Sequence, residues 1–245
     1  MIRHYRYVLS LTLLMTAFLP SMAQSEPTVV RELKQQSFPE WVPAGNYSGI
    51  TSVGENTFAV VDDKSTAGAF CIFHIVQDKE SGRIDSISFE GFRGTQTESR
   101  DAEGIAFNPH TGTLFISGEK DNRIPEYDME GKLTGRELAV PDEFHKATSN
   151  YGLESLTYNA ATHLFWTTSE STLPKDGEQA TSTNKAMNEL RLQSFGDDLM
   201  PKRQYRYVMD VPVASSKAGN YAMGVSDLLA LDDGTVIVLE REFFV

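Results

Sequence analysis

Short apolar runs alternate with polar turns along this chain, and eight of those runs fall into four pairs. One pair is 101–107 with 114–119, around Asn108-Pro109-His110-Thr111-Gly112. The second is 153–158 with 164–170, and the third is 225–231 with 236–240 around a two-residue Asp233-Gly234 turn. The run 48–53 with 58–62 is a weaker copy. Apolar runs flanking a Gly/Asn/Asp-rich turn predict β-hairpins. Further strands are predicted at 69–76, 83–89, 123–128, 133–140, 189–192 and 204–209. Four antiparallel strands per repeated unit predict the blades of an all-β propeller. No segment keeps the period of a helical domain.

The hairpins invite a register. If Glu103 faces Glu119, the centre falls at 111, inside the turn, and Glu154 facing Glu170 centres at 162. Asp227 facing Glu240 and Ser48 facing Asp62 also centre in turns. Three hairpins would then set acid opposite acid, which destabilises a sheet unless something compensates. Two such charges about 6 Å apart repel by roughly 3 kcal/mol at an effective dielectric near 20. The expected remedy at one mouth of the channel is a cation, an Arg or Lys, or a proton. The candidate metal ligands are Asp62, Glu103, Glu119, Glu154, Glu170, Asp227 and Glu240. Carboxylates without clustered His or Cys favour Ca²⁺ or Mg²⁺ over zinc or copper. Lys64, Lys120, Arg123 and Arg241 follow these acids closely and are the candidate binders of an anionic ester. The opposing reading is that the acids cap amides or pair with bases of neighbouring blades.

Residues 1–23 read as a secretory signal, with Arg3 and Arg6 before an apolar stretch and Ser21-Met22-Ala23 at its end. The apolar stretch is too short to span a bilayer, so an exported protein, periplasmic or extracellular, with no membrane span is expected. Removing Arg3 and Arg6 moves the formal charge from −12 to about −14, which disfavours nucleic acid as a partner. Cys71 is the single cysteine and reads as a buried strand residue. Residues 24–46 form an N-terminal segment in which 33–38 is a candidate closing strand. The polar stretch 175–185 is expected to project as a loop.

No G-x-S-x-G elbow, P-loop, G-x-G-x-x-G or H-E-x-x-H occurs, so no nucleotide or organic cofactor is indicated. His110 and His163 fall in turns and His74 lies mid-strand, so no Ser/His/Asp triad assembles and no catalytic residue is assigned.

The segments 150–157, 224–235 and 238–243, with 101–107 and Asn122-Arg123-Ile124, resemble the phytase-like domain, the "esterase-like activity of phytase" family. That resemblance spans 47–245. It implies an exported bacterial propeller distantly similar to the calcium-dependent β-propeller phytases. The expectation is about three and a half blades of a longer, six-bladed ring, incomplete at its C-terminus. Its expected work is metal-assisted cleavage of a small anionic ester or phosphoester. The alternative is a non-catalytic binding or scaffold propeller with structural carboxylates.

Overall fold

A computed structural model describes residues 33–95, 98–214 and 216–245. The expected signal at 1–23 and the stretch 24–32 lie outside the described residues. Gln35–Val245 is one compact unit. The first blade comprises β1 (Tyr47–Gly54), β2 (Thr57–Asp62), β3 (Phe70–Gln77) and β4 (Ile84–Arg93). The second comprises β5 (Ala102–Asn108), β6 (Thr113–Gly118), β7 (Ile124–Tyr127) and β8 (Leu133–Leu138). The third comprises β9 (Leu153–Asn159), β10 (Leu164–Ser169), β11 (Glu189–Gly196) and β12 (Pro201–Val208). A fourth sheet holds β13 (Tyr221–Ala230) and β14 (Val236–Phe244) alone.

Each strand pairs antiparallel with the next in its sheet. The first strands stand side by side, β5 against β1 and β9, and β9 against β13. This is a propeller arrangement of three full blades and a two-stranded fourth.

Both faces of a middle blade are covered, which is why its strands read as nearly unbroken apolar runs. Ala59, Val61 and Ile72 of the first blade meet Ile105, Leu114 and Ile116 of the second. Phe115 and Ile124 leave the second blade on its other side to meet Leu156 and Phe165 of the third. Trp166 and Leu190 then meet Val225 and Leu228. Cys71 is fully buried on the first blade's far face, where its surroundings push the thiol up to about 12.

The register differs from the symmetrical one expected. In all four hairpins the pairing slips once near the start of the inner strand. Glu119 N–H bonds Asp101 O at 2.8 Å, Glu170 N–H bonds Gly152 O at 2.7 Å, and Asp63 N–H bonds Asn46 O at 3.0 Å. In the fourth hairpin Arg241 pairs with Gly224 and Glu240 with Val225. Two residues beyond each of these inner partners sits the extra residue of a β-bulge: Ser48, Glu103, Glu154 or Ser226. The acids therefore do not face one another directly across the ladder. A bulge bends the strand and re-aims the inserted side chain, and here it turns four side chains toward a common space.

Three further expectations change. Residues 33–38 form no strand; instead the Gln36 side chain bonds the backbone of Ile84 in both directions, at 3.1 and 2.9 Å. The Asp233-Gly234 turn is wider than two residues, closed by Leu231 N–H to Thr235 O at 2.8 Å. The 175–185 insertion does not simply project. Ala180 and Ser182 are buried, and Lys185 reaches the carbonyls of Pro212 and Ala214.

Candidate functional site

The four bulges open onto one cavity of about 560 Å³. Ser48, Glu103, Glu154 and Ser226 line it, together with the residues that end the adjacent strands: Asp63, Glu119, Glu170 and Arg241. Asn46, Tyr47, Lys64, Asn150, Tyr151 and Ala222 complete the wall. Five acids and two bases thus share a small polar space.

The acids fall into two groups. Asp63, Asp101 and Glu103 each offer an oxygen, all within 4.8 Å of one another, and so do Glu119, Glu154 and Glu170. Asp101 adopts a left-handed backbone (φ 51°), a conformation that Asp tolerates better than most residues. From there its carboxylate meets Lys64 and lies 3.6 Å from Lys120 Nζ. Lys64 also contacts Asp63 at 3.0 Å, and these acids raise its pKa, the Asp101 hydrogen bond most of all.

Across the cavity, Arg241 pairs with the almost fully buried Glu170. Gly224 permits this approach, because a Cβ there would sit 2.3 Å from Glu170 Cγ. Glu119 accepts the Gly152 N–H at 3.4 Å.

Glu103 stands apart. It is 8% exposed, it lines the cavity, and among the described residues its carboxyl has no hydrogen bond or ion pair. Asp63 Oδ1 is likewise buried without a partner. Burial comes first in raising the Glu103 pKa to about 7, with Asp63, Glu119 and Asp101 adding to it. Burial again leads for Glu154, pushed up to about 9 with help from Glu103, Glu170 and Glu119. Glu119 and Glu170 shift upward too, both chiefly through burial. At neutral pH the cluster therefore retains protons that exposed carboxyls would have lost.

Of the expected ligands, Glu103, Glu119, Glu154 and Glu170 come together here. Asp62, Asp227 and Glu240 do not line the cavity. Asp62 caps the Lys64 N–H at 3.2 Å, and the exposed Asp227 bonds the Leu228 N–H at 2.8 Å. Glu240 accepts the Tyr207 hydroxyl at 2.6 Å and the Asp210 N–H at 3.1 Å. Each of these three is displaced by one residue from the cavity position, which Asp63, Ser226 and Arg241 hold instead. Lys64 and Arg241 line the cavity and Lys120 approaches it through Asp101. Arg123 turns away to Glu137, 2.7 Å distant. Asp63, Ser226, Asn46 and Asn150 were not among the site residues expected from the sequence, whereas Tyr151 belongs to a set of aromatics that could line a groove; the bulge repeat is the signal that finds Asp63 and Ser226.

Among the described residues no histidine lines the cavity. His110 and His163 sit at the other end of their hairpins, stacked at 4.5 Å, and His74 bonds Thr57 and Glu90. Among the described residues no helix is long and apolar enough to cross a membrane.

Residues 42–245 match the phytase-like family, described as "Esterase-like activity of phytase". No curated protein matches the chain. Among solved structures, hydrazine synthase from Kuenenia stuttgartiensis aligns at 10% identity and a TM-score of 0.41. That alignment covers 84% of this chain and 45% of the other. The nidogen/laminin complex aligns at 13% identity and a TM-score of 0.41, covering 82% and 59%. The chain thus spans about half the length of these structures.

Proposed function

The chain belongs to the phytase-like family, and on that premise we propose that its carboxylate cavity holds a divalent cation and cleaves a small anionic ester or phosphoester outside the cytoplasm. The observation that carries this reading is Glu103, a buried residue lining the cavity whose carboxyl makes no hydrogen bond or ion pair among the described residues. Buried charges are normally paired or bound to metal. Asp63 Oδ1, buried and without a partner, supports the same reading.

Asp63, Asp101 and Glu103 would hold the ion on one side, and Glu119, Glu154 and Glu170 offer a second oxygen set. All-oxygen donors suit Ca²⁺ or Mg²⁺. When bound, such an ion supplies Lewis acidity and an acidified water. Lys64 and Arg241, on opposite walls, are positioned to bind and orient the anion's oxygens. Arg241 is held charged: burial works against it, but Glu170, Glu154 and Glu103 outweigh that. Tyr47 and Tyr151 supply the less polar part of the wall. Export rests on the 1–23 signal.

A second reading has its own support, since Glu119 and Glu170 already bridge to neighbouring blades through Gly152 and Arg241. In that reading the acids staple a non-catalytic propeller.

The test is a panel of phosphate and carboxylate esters offered to the purified chain with Ca²⁺, with Mg²⁺ and in excess EDTA. Cation-dependent turnover that Glu103→Gln abolishes supports hydrolysis. Cation binding without turnover leaves a binding propeller. An unchanged melting temperature and no turnover in any condition would overturn the proposal.

A further inference from the structure

Lys64 already engages oxygens that the proposed cation would need. Its Nζ lies 3.0 Å from Asp63 Oδ2 and meets Asp101 Oδ1, across the seam between the first two complete blades. Asp63, Asp101 and Glu103 are the acids that bring one oxygen each within 4.8 Å of one another. The ammonium thus serves two members of an oxygen set and leaves the third unserved. Glu103, 8% exposed, makes no hydrogen bond or ion pair among the described residues. Asp63 Oδ1 is left over as well, buried without a partner. The Lys64 charge still reaches Glu103 and Glu119, where it opposes the upward pull of burial on both carboxyls. An ammonium brings one charge and three donors, whereas Ca²⁺ brings two charges and takes about six to eight oxygens. Lys64 compensates this set only in part.

The other bases at the cavity are held differently. Arg241 packs against Glu170 where Gly224 makes room. Lys120 donates to Ser99 O at 3.2 Å and lies 3.6 Å from Asp101 Oδ2, the other oxygen of that carboxylate. The main chain at Lys64 is fixed: its N–H bonds Asp62 Oδ1 at 3.2 Å, and the Asp63 N–H bonds Asn46 O at 3.0 Å. Only the flexible four-carbon stem has to turn for the ammonium to leave.

We infer that Lys64 is an exchangeable placeholder: its ammonium holds the Asp63 and Asp101 oxygens, gives them up to a divalent ion, and then turns into the cavity to hold the anion. This rests on the cation-dependent reading of the cavity proposed above and adds its regulation. The Lys64 contact is autoinhibitory toward the cation, and its release orders binding, cation before anion. Linkage makes the effect reciprocal, so the anion strengthens cation binding by the same factor.

The experiment is calorimetric titration of Ca²⁺ into the wild type, Lys64→Met, Lys64→Gln and Lys120→Met, with inorganic sulfate as the anion probe. Lys64→Met should bind Ca²⁺ about tenfold more tightly than the wild type, an ordinary size for a coupling between sites. Lys120→Met removes an equal charge beside the same carboxylate without emptying the oxygen set, and should gain less. With Ca²⁺ present, Lys64→Met should bind sulfate more weakly than the wild type, so one substitution moves the two ligands in opposite directions. Lys64→Gln should follow Lys64→Met and replaces it if the Met variant folds poorly. In the wild type, an ammonium tied to two carboxylates resists acylation, so Ca²⁺ should speed acylation of Lys64, read by mass spectrometry. Absence of Ca²⁺ binding in the wild type and both Lys64 variants would overturn this inference together with the cation reading. Ca²⁺ binding that the Lys64 variants leave unchanged, weaken, or tighten no more than Lys120→Met does would overturn this inference alone. So would acylation of Lys64 that Ca²⁺ does not alter.

Discussion

Glu154 and Glu170 bring carboxylate oxygens within 4.8 Å of each other beside the third blade's bulge, and Arg241 of the neighbouring sheet grips the Glu170 end. One guanidinium thus serves the buried Glu170 beside the half-buried Glu154. Glu103, a blade away, has no such partner. This asymmetry orders the expected responses to pH, cations and substitution.

The first concerns stability without metal. Glu103 and Glu154 have folded-state pKa values raised to about 7 and about 9. Above the unfolded carboxyl pKa of roughly 4.3 the unfolded chain releases protons that the folded chain keeps, so stability falls as pH rises. The Glu103 contribution is lost between about pH 4.3 and 7, and that of Glu154 continues to about pH 9. In EDTA the melting temperature should therefore decline by several degrees from about pH 5 to pH 9. Millimolar Ca²⁺ should flatten the decline, and a thermal melt series reads both.

Glu103→Gln removes an unpartnered charge. In EDTA at about pH 8 it is expected to raise the melting temperature, because the fold loses a repulsion and no ion pair. The same variant should show a smaller Ca²⁺-induced shift than the wild type. A staple reading predicts the opposite sign in EDTA.

Arg241→Ala exposes the other half of the arrangement. It leaves Glu170 buried without its guanidinium partner. After discounting for the half-exposed arginine, the expected loss is about 2 kcal/mol near neutral pH. The deficit should shrink as pH falls and Glu170 takes up a proton. Urea denaturation at two pH values measures it.

Gly224→Ala tests the close approach directly. The new methyl would collide with Glu170 Cγ, so a loss of about 1–3 kcal/mol is expected. Any cation-dependent stabilisation should weaken with it, because Glu170 must move.

Asn188→Ala probes the insertion. The Asn188 side chain is fully buried; it accepts the Ala180 N–H at 2.8 Å and donates to Met223 O at 2.9 Å. Removing it orphans both groups and should cost about 2 kcal/mol. Protease sensitivity within 175–185 should rise in parallel.

The hairpin pairs and the blade arithmetic were legible in the sequence, because apolar runs around Gly/Asn/Asp turns reflect local backbone chemistry. The cavity was legible to within one residue. Midpoint arithmetic assumes one residue opposite one, and a bulge breaks that assumption without changing the apolar pattern. Glu103, Glu119, Glu154 and Glu170 survived the slip because the expected rim already contained them. Asp62, Asp227 and Glu240 did not, and their neighbours Asp63, Ser226 and Arg241 hold the wall. Asn46 and Asn150 lie before inner strands, where no periodicity marks them. The burial of Ala180 and Ser182 was hidden because their stretch is polar on average.

The extra residue at the same point in every hairpin separates wall chemistry from sheet pairing. Ladder bonds on either side close around Ser48, Glu103, Glu154 and Ser226 alike, so these positions behave as interchangeable sockets. Hydroxyl at two sockets and carboxyl at the other two give one backbone device two chemistries around a single space.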